Sequence, residues 1–137
     1  MDKWTKLWFS FAINASTMSK DPITKVGSVI VSKDNRQCSI GYNGFPAGVL
    51  ETPERWERPE KYDWVIHSEE NNLLNCPFST IGCKMYLTHK PCHKCLLKIV
   101  QAGITHVYYL NDYDSKKPEV IEELSKFVHL EKVFFNV

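Results

Sequence analysis

Two stretches, His67-Ser68-Glu69 and Pro91-Cys92-His93-Lys94-Cys95, decide how the rest of the chain is read. One histidine and two cysteines offer Zn2+ three protein ligands and leave its fourth tetrahedral position open to water. A closed structural site would add a fourth ligand at similarly regular spacing. Glu69 is not needed to hold a metal. Two residues beyond the histidine, it supplies a carboxylate able to take a proton from an activated water and return it to a leaving group. The interval between the motifs has room for the rest of a helix, a strand and a turn, which places both motifs at helix N-termini. There the positive ends of two helices favour thiolate. Two thiolates and a neutral imidazole cancel the charge of zinc, so activation falls to a base, the role assigned to Glu69.

Upstream, Trp4, Leu7, Trp8, Phe11, Ala12 and Ala15 recur at helical spacing, with Asp2 placed as the cap and Asp21-Pro22 beyond the end. This aromatic stripe is read as core. Val26 to Val31 and Gln37 to Tyr42 read as strands around a turn at Lys33-Asp34-Asn35, hence an antiparallel hairpin. Asn43 to Asp63 carries Gly44, Pro46, Gly48, Pro53 and Pro59 without a period. Such a stretch is a functional lid or partner surface, or else a surface loop with a short helix around Pro53 to Trp56.

Downstream, His67 opens a helix stopped by Cys76-Pro77, and Cys83 to Thr88 reads as a buried strand. A helix runs from Pro91 to Gly103, a strand from Thr105 to Leu110, a helix from Pro118 to Val128 with Val120, Ile121, Leu124 and Phe127 inward, and a last strand from Glu131 to Val137. The fold expected is α/β, a three-layer α/β/α sandwich with a five-stranded mixed sheet, the last three strands parallel through right-handed crossovers.

Composition bounds the rest. At 137 residues, 43% hydrophobic and 24% charged, the chain is read as one globular domain, residues 1–137. A net charge of +1 without a Lys/Arg block speaks against a polynucleotide partner. No apolar run reaches membrane length and Met1-Asp2-Lys3-Trp4 lacks a signal-peptide layout, so no membrane and a cytoplasmic location are expected. Cys38, Cys76 and Cys83 are read as small core residues. His89, His93, His106 and His129 sit on no trusted ligand spacing and are not assigned a second metal.

His-x-Glu and Cys-x-x-Cys are each common alone. In this order, with proline before the first cysteine, they match the known signature of zinc-dependent nucleobase deaminases. With Asp21-Pro22, Val26-Gly27, Gly41-Tyr42-Asn43-Gly44-Phe45-Pro46 and Lys61-Tyr62, the chain from Asp21 to about Tyr113 resembles the deoxycytidylate (dCMP) deaminases of the cytidine-deaminase-like superfamily. The Gly-Tyr-Asn-Gly loop is the discriminating piece against tRNA adenosine and riboflavin-pathway deaminases.

That resemblance implies His67, Cys92 and Cys95 on zinc, Glu69 as proton shuttle, and hydrolysis of dCMP to dUMP and ammonia in thymidylate supply. It implies Asn43 on the sugar hydroxyl; Asn43 as a plain turn residue is the alternative. The backbone of Ser68, where the family mostly has alanine, faces the pyrimidine carbonyl. Tyr113, Lys25 and Ser28 are candidates for the 5′-phosphate. The resemblance further implies a homo-hexamer activated by dCTP and inhibited by dTTP. Residues 43–63 then help bind a nucleoside triphosphate with Mg2+, with Gly44, Arg55 and Arg58 as candidates, unless the arginines are solvated or paired with Glu51, Glu54 or Glu57. The loop before Lys61-Tyr62 is shorter than in some relatives. Two rivals stand beside this reading: a deaminase of another nucleoside, nucleotide or tRNA base, and a zinc-stabilised binding module without turnover.

Overall fold

In the computed structural model, which describes residues 1–135, strands β1 (Gly27–Val31) and β2 (Cys38–Tyr42) form the expected antiparallel hairpin. Its turn uses Asn35 in the left-handed region, at φ 60°, which asparagine tolerates. Strands β3 (Lys84–His89), β4 (His106–Asn111) and β5 (His129–Lys132) complete a five-stranded sheet of order β2-β1-β3-β4-β5. β3 pairs parallel to β4 and β4 to β5, as expected, whereas β1 runs antiparallel to both neighbours. β2 and β3 therefore point the same way with β1 inserted between them.

Three helices connect the like-directed strands: α3 (Ser68–Asn75), α4 (His93–Gln101) and α5 (Pro118–Leu124). Three crossovers advancing in one direction with one hand place all three helices on one face. Ile30, Met85, Leu87 and Val107 from the sheet meet Leu96, Ile99 and Ile121 there. The other face carries α1 (Lys3–Ser16), whose Trp8, Phe9 and Ala12 cover Val29, Val31 and Tyr86. The result is the three-layer α/β/α arrangement with a mixed sheet. Gly27 sets the spacing on the α1 side, since a Cβ there would fall 1.9 Å from the Ala12 carbonyl oxygen.

The structure corrects several expectations. Asp2 caps α1, accepting from the Thr5 amide at 2.9 Å, but the buried face is Trp8, Phe9, Ala12 and Ala15, and Trp4, Leu7 and Phe11 are exposed. The helix lies on the sheet by Trp8 and Phe9 in its first half and by Ala12 and Ala15 in its second, where the alanines let the backbone approach β1. α5 stops at Leu124, so Phe127 leaves the helical face and is exposed. β5 spans His129–Lys132 rather than starting at Glu131, and the end of the strand expected to Val137 lies outside the described residues. Cys83 is buried, Cys76 is half-buried and Cys38 is exposed on β2. Within the long connection, the short helix offered around Pro53 to Trp56 is a 3₁₀ turn (Pro53–Trp56), and a further short helix, α2 (Lys61–Trp64), was not foreseen. Among the described residues, no helix is long and apolar enough to cross a membrane.

Candidate active site

Both motifs fall at helix starts. His67 is the N-cap residue of α3, and Cys92 is the N-cap of α4, its sulfur accepting from the Cys95 amide at 3.5 Å. Pro91 and Cys92 follow the C-terminal end of β3, where α/β sheets place their ligands. His67 Nδ1 lies 3.2 Å from Cys95 Sγ and 3.6 Å from Cys92 Sγ. A tetrahedral zinc with ordinary Zn–N and Zn–S bonds separates such atoms by roughly 3.6 Å, so the donor set fits the ion. Among the described residues, no fourth histidine, cysteine or acid joins this group, all of whose ligand atoms lie within 4.8 Å of one another. Glu69 stays outside it.

Electrostatics couple the three donor groups to one another. The hydrogen bond from Cys95, aided by His67 and opposed by burial, pushes the Cys92 thiol down to about 3. The Cys95 thiol is pushed up by that same hydrogen bond and by burial. The His67 imidazole is held above its ordinary range chiefly by its hydrogen bond to Cys92. Glu69 is buried at 4% exposure, and desolvation raises its carboxyl above the usual range against the opposing charge of His67. A carboxyl that gives and takes a proton near neutrality needs such an environment. Lys98 on α4 pairs with Glu70 on α3, bracing the two helices at the surface.

The other sequence candidates divide. Tyr113 follows β4 at 45% exposure; the burial it has, with Cys92, Tyr62 and Cys95, raises its phenol against the opposing charge of Arg58. Asn43 is buried, with Oδ1 accepting from the Val26 amide at 2.9 Å and Nδ2 donating to the Thr24 carbonyl at 3.0 Å and to Asp21 at 3.3 Å. Both its donors are engaged, and a second lone pair on Oδ1 is what it offers a ligand hydroxyl. Lys25 is exposed just ahead of β1.

Ser28 is a correction. It is fully buried, and its hydroxyl is enclosed by Ser68, Gly41 and Asn72, so it cannot meet a phosphate. Arg55 is a second. Its guanidinium stacks on Trp64 at 3.9 Å and donates to the Leu50 carbonyl at 2.8 Å, where the sequence offered phosphates or glutamates. Gly44 forms a bridge with Ile66, and a Cβ at Gly44 would meet nothing within 4 Å.

Sequence reading missed three groups. Lys61 and Asp21, quoted only as motif letters, form a buried ion pair of 2.9 Å, while Asp21 Oδ1 accepts from the Ile23 and Thr24 amides. Trp56 and Trp64 each stack on Phe45 and pack the long connection from within. Asn72 on α3 and Ser39 on β2 are buried against each other, the Ser39 hydroxyl donating to Asn72 Oδ1 at 2.7 Å. A lysine at an ordinary loop position carries no sequence mark of burial, but alternate polar residues on the helix face opposite Leu74 could have pointed to Asn72.

A three-layer α/β/α fold with a three-ligand zinc corner and an adjacent buried glutamate defines the zinc-dependent hydrolytic deaminases. Residues 2–111 match the family described as the cytidine and deoxycytidylate deaminase zinc-binding region. The chain belongs to that family. It is 44% identical over 108 residues to an uncharacterized deaminase in the luxG 3′ region of Aliivibrio fischeri, covering 79% of this chain and 73% of that one. A probable deoxycytidylate deaminase of Caenorhabditis elegans is 42% identical over 104 residues, 72% of this chain and 53% of its own length. The crystal structure of the dCMP deaminase of cyanophage S-TIM5 in complex with dCMP and dUMP superposes with a TM-score of 0.79 at 30% identity, covering 97% of this chain and 99% of that chain.

Proposed function

We propose that this chain hydrolyses dCMP to dUMP and ammonia. The observation that carries the reading is the buried Glu69 carboxyl beside, and outside, the His67–Cys92–Cys95 donor group. Support for the substrate comes from the similar cyanophage enzyme, which binds dCMP and dUMP. Zinc held by His67, Cys92 and Cys95 would supply a water acidified enough to attack carbon. Glu69 takes a first proton from the attacking water, whose oxygen bonds to the amino-bearing carbon, and hands it to the adjacent ring nitrogen. It then takes the second proton from the new hydroxyl and passes it to the exocyclic nitrogen, which leaves as ammonia as the C–N bond breaks and the carbonyl forms. Dipoles at the start of α3 and α4 favour the negative charge that gathers at this corner. Asn43 Oδ1 accepts from the sugar hydroxyl, Ser68 presents its backbone to the pyrimidine carbonyl, and Tyr113, with Lys25, meets the 5′-phosphate.

The domain, residues 1–137, works in the cytoplasm, where its thiolates stay reduced. Its assembly is a homo-hexamer, to which the exposed Trp4, Leu7 and Phe11 contribute apolar surface. dCTP activates and dTTP inhibits through residues 43–63, with Mg2+ on the triphosphate. Gly44 lets the nucleotide approach the backbone, and Arg58 is the available arginine, Arg55 being held by Trp64.

Ammonia release from dCMP, deoxycytidine, CMP and dCTP by the zinc-loaded protein tests the substrate: dCMP is expected to be fastest. No release from dCMP, with release from deoxycytidine, would replace the nucleotide reading by a nucleoside one. Saturation curves for dCMP with and without dCTP test regulation, and an unchanged shape and midpoint removes it.

A further inference from the structure

We propose that Ser28 and Ser68 form a paired hydroxyl lock that holds the first turn of α3, and with it Glu69, in register on the β1–β2 hairpin. The proposal rests on the reading of Glu69 as the group that moves protons. Ser28, Ser68 and Asn72 are each 0% exposed, and Ser39 is 9% exposed. The Ser68 hydroxyl faces Ser28 Oγ at 2.8 Å and the Gly41 carbonyl oxygen at 3.0 Å. Ser28 Oγ stands 3.2 Å from the Ser68 carbonyl and 3.4 Å from that of Gly41, and accepts from Asn72 Nδ2 at 3.1 Å. One turn along α3, Asn72 Nδ2 also donates to the Ser39 carbonyl at 2.9 Å, and Asn72 Oδ1 accepts from Ser39 Oγ at 2.7 Å.

Helix α3 thus meets the hairpin through directed bonds, whereas α1 meets the opposite face through apolar contact. Apolar contact is non-directional and tolerates sliding; hydrogen bonds weaken steeply when misaligned. Gly41 fixes the separation, since a Cβ there would lie 2.7 Å from Asn72 Cβ and 2.8 Å from the Ser68 carbonyl oxygen. Glu69 follows Ser68 directly in α3. Its carboxylate must lie within about 3 Å of the proton it moves, so a small slip of this turn lengthens every transfer. Both serines reach the Gly41 carbonyl, so each covers in part for the other.

Ser28→Ala, Ser68→Ala and the double variant test this in zinc-loaded protein, well below the melting midpoint. Each single change is expected to lower kcat on dCMP about twofold to twelvefold, one net hydrogen bond, with KM within about twofold. The double variant is expected to lose more than the product of the singles, because Gly41 then keeps no hydroxyl donor. Amide hydrogen exchange in the first turn of α3 should accelerate while β3 and β4 keep their protection. A double variant with kcat within about twofold of the parent overturns the proposal, whether or not exchange accelerates. If the parent releases no ammonia from dCMP, the substrate reading falls, and exchange alone decides the lock: unchanged protection of residues 69–72 overturns it. Should the double variant fail to fold, Ser68→Cys, near-isosteric but a weak donor, takes its place, and retained kcat overturns the lock.

Discussion

The corner where α3 meets α4 and the connection from Asn43 to Ile66 border the same site, yet different forces hold them. At the corner, ligands hang on helix N-termini whose positions follow from strand ends, crossover hand and directed hydrogen bonds to the hairpin. The connection has little regular structure. It is closed at its base by the Gly44–Ile66 bridge, filled by the Phe45–Trp56–Trp64 stack and tied to the segment before β1 by the Lys61–Asp21 pair. The difference teaches that the donor corner is positioned by the scaffold, whereas the connection is a segment that packs against itself.

Four measurements would break or sharpen this contrast. Glu69→Gln keeps the shape of the corner and removes the proton carrier, so turnover should fall by about 10²–10⁴-fold with zinc content unchanged; near-normal turnover would remove Glu69 from the mechanism. Lys61→Met leaves Asp21 charged and buried without its partner, which costs about 3–5 kcal/mol, read as a lower denaturant midpoint. Asp21→Asn on top of Lys61→Met should recover part of that loss, since an amide oxygen still accepts from Ile23 and Thr24. If the single change leaves the midpoint in place, the pair is not what ties the connection down.

Acid should act through the same residue. Burial would raise Asp21, but the amides of Ile23 and Thr24 together with Lys61 outweigh it and hold its pKa below the usual value. A depressed folded pKa contributes stability that is complete above the unfolded value of about 3.9 and is lost as pH falls through the folded one. The parent should therefore lose stability below pH ~4 more steeply than Asp21→Asn, and parallel curves would contradict it. The smallest effect belongs to Arg55→Ala. Loss of its stacking on Trp64 should cost about 0.5–1 kcal/mol at this half-exposed position, and kcat on dCMP should be unchanged. A large loss of kcat would place Arg55 in the site and erase the distinction between the two regions.

Legibility in the sequence follows the same line. Each of the five strands and the helices α1, α3, α4 and α5 could be read, because period and punctuation are local properties of neighbouring residues. Phe127 was misread as inward because its spacing continues that of Ile121 and Leu124, although the helix ends at Leu124. In α1, the stripe read as core held for Trp8, Ala12 and Ala15, but close approach to Gly27 turned the helix so that Phe9 is buried and Trp4, Leu7 and Phe11 are exposed. Ser28 looked like a free hydroxyl near a strand start, and only the packing of α3 over β1 enclosed it. Arg55 looked like a phosphate ligand, and the fold put Trp64 against it.

Residue types and their spacing by themselves determined the ligand trio, the neighbouring acid and the alternation of helices with strands, since coordination chemistry and backbone periodicity are written along a short run of chain. Tertiary structure alone decided that β1 lies between β2 and β3, that Asp21 and Lys61 share a dry contact, and that Ser28 and Ser39 of the hairpin meet Ser68 and Asn72 of α3. Those are meetings of residues far apart in sequence. Their energies depend on distance and on exclusion of water, neither of which a linear pattern carries.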